Sequence, residues 1–160
     1  MEQALPIEEL ARQRLNAMVY AFSLFTKNLM EEGLEKEKVK RASDKAWGTL
    51  GDQAGEQLKA LLGGAEKIVA IQQAGAIARS VHEIEAKVEA KENEVRTEFS
   101  KCPWQEASES IGLPQEWRFC PSGHAAFAER MLKTLFPDVS FKLTKSMPTG
   151  DPVCEEISSF

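Results

Sequence analysis

EIEAKVEAKENEVRTEF, residues Glu83 to Phe99, is the stretch in which this chain changes its hydrophobic period. Ile84, Ala86 and Val88 alternate with Glu83, Glu85, Lys87 and Glu89. After Lys91-Glu92-Asn93 the alternation resumes, with Val95, Thr97 and Phe99 set against Glu94, Arg96 and Glu98. A two-residue period puts one set of side chains on each face of an extended ribbon, so the stretch predicts a β-hairpin with one wet face.

Upstream of the hairpin the period is helical. Pro6 sits where a first turn begins, Glu8 and Glu9 face the positive end of the dipole, and Leu15, Met18, Phe22, Phe25 and Leu29 recur at helical spacing until Gly33. A second segment, from about Glu35 to Leu62, carries Val39, Ala42, Trp47, Leu50, Leu58 and Leu61 and stops at Gly63-Gly64. Gly48, Gly51 and Gly55 share one side if that helix is continuous. Close approach of a neighbouring helix explains them, and so does a break into two shorter helices. A third helix spans about Ala65 to Arg79.

Downstream, a short helix from Pro103 to Ile111 ends at Gly112. Ser122 can cap another, whose Phe127, Met131 and Leu135 form a stripe before Pro137. Val139, Phe141 and Leu143 alternate again, Pro148-Thr149-Gly150-Asp151 makes a turn, and Val153 to Phe160 returns as a strand. The expected class is α+β: N-terminal helices followed by a β-β-α-α-β-β unit with a four-stranded antiparallel sheet. Residues 1–160 form a single domain on this reading, with a helical part over 1–80 and an α+β part over 81–160 that carries all three cysteines.

With 160 residues, 42% of them apolar, the chain can bury about two thirds of its unfolded surface without a staple. Its net charge of −5 and the absence of a basic patch argue against general attraction to nucleic acid or anionic lipid. The longest apolar run, Met18 to Phe25, is too short to span a bilayer, and Glu2, Glu8 and Glu9 replace the basic start of a signal peptide. A cytoplasmic protein is expected. Its three cysteines then read as thiols or metal ligands rather than as a disulfide framework.

Cys102, Cys120 and Cys154 fall at element junctions, and three readings stay open for them. Each can be a small buried apolar residue. Alternatively Cys102, Cys120, His124 and Cys154 supply three thiolates and an imidazole, a tetrahedral zinc set that lacks the tight Cys-x2-Cys spacing of zinc ribbons. Or Cys120, near a helix start whose unsatisfied N–H groups favour thiolate, is a nucleophile whose proton His124 accepts. Asp151, Glu106 or Glu109 would orient the imidazole. Trp104 and Trp117 can stack on a flat ligand, and Arg118 can pair with a carboxylate through its planar fork. His82 reads as a surface or cap residue.

The last sixty or so residues resemble the family of L-2-amino-thiazoline-4-carboxylic acid hydrolases. The likeness rests on CPWQEA at Cys102, IGLPQEW leading to Cys120, the helix ending in Phe136-Pro137, and KSMPTGDPVCEEI around Gly150, Asp151 and Cys154. It implies hydrolytic opening of a cyclic amidine, the thiazoline ring of a cysteine-like compound, toward a carbamoyl-cysteine product. Either a thiolate attacks the carbon between sulfur and nitrogen or a metal activates water. The family's activity is associated with manganese, whereas three thiolates and a histidine suit zinc better. The order β-β-α-β-β with junction cysteines is also similar to the vinyl-reductase-like small-molecule-binding domains. That likeness implies an alternative, a ligand or metal sensor without turnover. A small-molecule ligand is the expected partner, with a homodimer through the N-terminal helices as a further possibility.

Overall fold

The computed structural model describes residues 6–160; Glu2 of the acidic start lies outside them. Three helices come first: α1 (Ile7–Glu31), α2 (Lys36–Leu62) and α3 (Lys67–Val81). The hairpin β1 (Lys87–Lys91) and β2 (Glu94–Phe99) follows, then α4 (Pro103–Ser110), a 3-10 turn at Gln115–Trp117, and α5 (Cys120–Leu135). The chain ends in β3 (Ser140–Lys145), a second 3-10 turn at Met147–Thr149, and β4 (Cys154–Ser159). The four strands form one antiparallel sheet in the order β1-β2-β4-β3. The α+β class and the four-stranded sheet match the sequence reading.

Several boundaries differ, two of them by enough to matter. The strand expected from Glu83 begins only at Lys87, because α3 runs on to Val81 and the N–H of Ile84 returns to the carbonyl of Arg79 at 3.0 Å. This closing turn carries Glu83 at φ 51° and uses up the first alternating residues. Helix α5 starts at Cys120, not at Ser122: Pro121 stands in its first turn, where a missing N–H costs nothing, and the Ser122 hydroxyl donates back to the Phe119 carbonyl at 3.2 Å.

Helix α2 is unbroken, which decides between the two accounts of its glycines. They form a seam against α5. A Cβ at Gly51 would overlap the backbone carbonyl of Phe127, and one at Gly55 would stand 2.6 Å from Thr134 Cβ. Gly123 on α5 returns the contact: a Cβ there would stand 2.9 Å from Trp47 Nε1. Asp52 and Arg130 join in a forked ion pair at the exposed rim of the seam.

The sheet has two unlike faces, as its period demands. Val95, Thr97 and Phe99 of β2 point inward beside Cys154, Glu156 and Ser158 of β4, in the register Thr97↔Glu156 and Phe99↔Cys154. On the outer face Glu155 accepts from Thr144 Oγ1 at 2.7 Å, Arg96 at 3.1 Å and Lys145 at 3.3 Å. Two clusters fill the interior. One gathers Leu58, Leu62, Ile71, Met131 and Leu135; the other gathers Leu15, Val19, Phe99, Trp104, Cys102 and Cys154, with Cys120 packed against it.

Candidate functional site

The inner face of the sheet does not close on the helices. A cavity of about 120 Å³ remains between it and α1 to α5, walled mainly by apolar side chains. Phe22, Trp47 and Trp104 make up one end, with mutual edge-to-face contacts at centroid separations of 5.1 to 6.0 Å. Such rings are large, stiff wall elements. The alternating inward residues of β2, β3 and β4 supply the floor.

A cluster of charged and polar side chains interrupts this mainly apolar wall. Glu156, on the inner face of the central strand β4, meets His124 of α5, Nε2 to Oε2, at 2.7 Å. Arg79, from the last turn of α3, places Nη1 3.7 Å from the other carboxylate oxygen. Both side chains of this ion pair are mostly covered, at 14% and 12% exposure. The His124 ring is gripped at its edges by Phe99 and Phe141, at centroid separations of 6.4 and 5.8 Å. The sequence reading missed Glu156 and Arg79. Of two adjacent glutamates in CEEIS, only the pairing register tells which faces inward.

All three cysteines line the same cavity. Cys120 and His124 are four residues apart on α5 and therefore share a face of it. Burial pushes the Cys120 thiol well above its ordinary range, with the sulfurs of Cys102 and Cys154 adding to the effect. The helix start was expected to favour thiolate at Cys120, but loss of water outweighs the dipole here and the thiol keeps its proton. Burial likewise raises Cys154 to about 11, against the backbone N–H of Met147, which donates to its sulfur at 3.4 Å. Cys102, at the N-cap of α4, is also raised by burial, opposed by the nearby N–H groups of Gln105 and Trp104.

The other expected site residues divide. Trp104 and Trp117 line the cavity. Arg118 does too, but its Nε donates to the Leu113 carbonyl at 3.0 Å and its Nη1 lies 3.9 Å from Glu109, so it ties down the loop after α4. Asp151 is exposed, outside the cavity, and accepts from the Ser146 N–H at 2.8 Å. It holds the turn before Cys154 and does not orient the imidazole; neither do Glu106 and Glu109, which are exposed on α4. His82 is not a surface residue: it lines the cavity, its Nδ1 accepts from Trp104 Nε1 at 3.5 Å, and burial followed by the nearby His124 lowers its pKa.

Among the described residues, no three His, Cys, Asp or Glu side chains gather as metal ligands. The set Cys102, Cys120, His124 and Cys154 is thus not assembled for zinc, and no group of carboxylates suits manganese. Among the same residues no helix is long and apolar enough to cross a membrane.

The family model for L-2-amino-thiazoline-4-carboxylic acid hydrolases matches residues 12–157, nearly the whole chain. The chain belongs to this family. No curated protein matches it. Among solved structures, a trafficking protein particle complex subunit 3 from Naegleria fowleri, covalently bound to palmitic acid, is similar over 92% of this chain and 95% of its own, at 12% identity and a TM-score of 0.65. The phenol-responsive sensory domain of the transcription activator PoxR, with phenol, is similar over 88% of this chain and 73% of its own, at 12% identity and a TM-score of 0.61. At such low identity these two likenesses speak for the fold of the family member, not for its chemistry.

Proposed function

We propose that the protein is a small-molecule hydrolase that opens a cyclic amidine of the thiazoline type inside the cavity. The observation that carries this reading is the 2.7 Å His124–Glu156 contact on the wall of an apolar cavity, one helical turn from Cys120. With Nε2 donating to the carboxylate, a neutral imidazole keeps the Nδ1 lone pair as a proton acceptor. A thiol that burial holds protonated needs such a base, and the carboxylate stabilises the imidazolium once it forms.

In the proposed reaction Cys120 Sγ bonds to the amidine carbon while its proton passes to His124. The ring sulfur leaves that carbon and takes the proton, so the ring opens and an isothiourea links substrate to enzyme. Water then adds to the same carbon, giving its proton through His124 to the departing Cys120 sulfur. One water is consumed, and the product is a carbamoyl-cysteine. The cavity size supports a ring-sized guest over a long acyl chain, since a cavity of about 150 Å³ holds one benzene.

The test is turnover of 2-aminothiazoline-4-carboxylate by the purified protein. Cys120→Ser and His124→Asn should each lower kcat by at least about a hundredfold. A wild-type protein without turnover would sink the reaction, and undiminished turnover by Cys120→Ser would sink the nucleophile. A second reading, a binding module without turnover, draws support from the raised thiol pKa values and from the phenol-bound sensory domain of similar fold. Tight binding in the same assay with no product would establish it. The exposed apolar side chains of Met18, Leu24 and Phe25 on α1 support pairing of two copies through the N-terminal helices.

A further inference from the structure

Arg79 is a cation in an apolar wall without a close partner. Its guanidinium carries five N–H donors in a rigid fork. Among the described residues it closes no side-chain hydrogen bond, and its one ion-pair contact, with Glu156, is 3.7 Å long. The Glu156 carboxylate is already engaged at 2.7 Å by His124. Burial lowers the pKa of Arg79 more than Glu156 restores it, so the charge is under-compensated where it stands. The other titratable groups that line the cavity are His82, His124, Arg118 and the three cysteines. None supplies an anion, since burial raises all three thiols, and Arg118 is already tied to the Leu113 carbonyl and Glu109.

Gly75 explains how the guanidinium comes to lie there. It is one turn before Arg79 on the same face of α3, and it too lines the cavity. A Cβ at Gly75 would stand 2.9 Å from Arg79 Nη1 and 3.7 Å from Cζ, so the arginine folds back along its own helix over the glycine, and a side chain there would displace the fork. A glycine inside a helix costs about 1 kcal/mol relative to alanine. At Gly75 the cost leaves room for the guanidinium beside the cavity.

We infer that Arg79 is the residue that receives the anionic group of the ligand and so sets the preference of the cavity for a carboxylate over its neutral counterpart. The carboxylate seats on the fork of Arg79 through two parallel N–H···O contacts, with the ring against the apolar wall. Glu156 then remains with His124. Arg79 determines specificity and positions the ligand; it takes no part in proton transfer. This deepens the proposed function in that it uses the same cavity, but it does not depend on turnover.

The experiment uses an inert pair of probes, 2-aminothiazole-4-carboxylate and its carboxamide, whose aromatic ring resists opening. Their dissociation constants are measured by titration calorimetry on the full chain. Wild type should bind the carboxylate at least about tenfold more tightly than the carboxamide. Arg79→Met should erase that preference while leaving the carboxamide within about twofold. Gly75→Ala keeps the charge and favours the helix but pushes the fork aside, so it should weaken the carboxylate alone and melt no lower than wild type. Equal binding of both probes by wild type, or a preference that survives in Arg79→Met, overturns the inference and leaves the hydrolase reading standing. Failure of both probes to bind also overturns the inference, and turnover of 2-aminothiazoline-4-carboxylate then decides the hydrolase reading separately. Turnover without any carboxylate preference would refute Arg79 alone.

Discussion

Helix α5 has two working faces that solve opposite problems. Toward α2 it packs backbone against backbone, with Gly51 and Gly55 on one side and Gly123 on the other leaving no space for a Cβ. Toward the sheet it stands off, and the gap is the cavity that Cys120 and His124 line. The difference teaches that an internal void is stable here because the element beside it is clamped elsewhere. A cavity forfeits the dispersion contacts of its lining, and only a helix that cannot slide inward will keep it open. The glycine seam fixes α5 at a depth from which its side chains reach Glu156 without filling the space before it.

The seam can be broken directly. Gly51→Ala puts a methyl into the carbonyl of Phe127, and because that neighbour is backbone rather than a flexible side chain, it cannot yield cheaply. A loss of about 3 kcal/mol in urea unfolding is expected, even after the gain in helix propensity. An unchanged midpoint would mean that α5 is free to shift. The cavity side breaks more gently. Glu156→Gln keeps a hydrogen-bonding partner for His124 but leaves Arg79 without its counter-charge. It should cost about 2 kcal/mol, below the usual value for a buried pair because the contact is long and not wholly covered. Equal stability of this variant and wild type at neutral pH would show that water, not Glu156, balances the arginine.

The smallest effect sharpens the comparison from the thiol side. Cys154 ionises at about 11 in the folded chain against an ordinary value of 9.0. A raised folded-state pKa means that the stability it contributes is intact below about 9 and declines as pH rises toward about 11, where only the unfolded chain ionises freely. Unfolding curves of wild type should fall over that window, and those of Cys154→Ala should fall less. Parallel curves would place this sulfur in contact with water.

Much of this arrangement is written locally. The change from helical to alternating period at Glu83–Phe99 announces the sheet, and Gly63-Gly64, Gly112 and Pro137 punctuate the helices. The side of α2 that carries Gly48, Gly51 and Gly55 is visible too, but whether it meets a partner is a tertiary fact. The site was less legible for the same reason. Cys102, Cys120, Cys154 and His124 stand out as chemistry-bearing residues, whereas Arg79 looks like an ordinary C-terminal helix cation and Glu156 like one more surface acid. His82 reads as a cap, which it is, at the C-terminus of α3, yet that cap faces inward. Long-range pairing decides each of these cases, and periodicity carries no record of it.

The adjacent glutamates of β4 give the fold a vernier. Thr97 and Leu143 flank Glu156 across the central strand, while Glu98 and Lys145 flank Glu155. A strand that advanced by one position would exchange the two carboxylates, since successive side chains point to opposite faces. Removal of one residue between Lys145 and Cys154 could therefore leave a sheet with all its ladders made and its chemistry turned inside out. Chain length in that short connection is thus under a stricter demand than folding alone would impose.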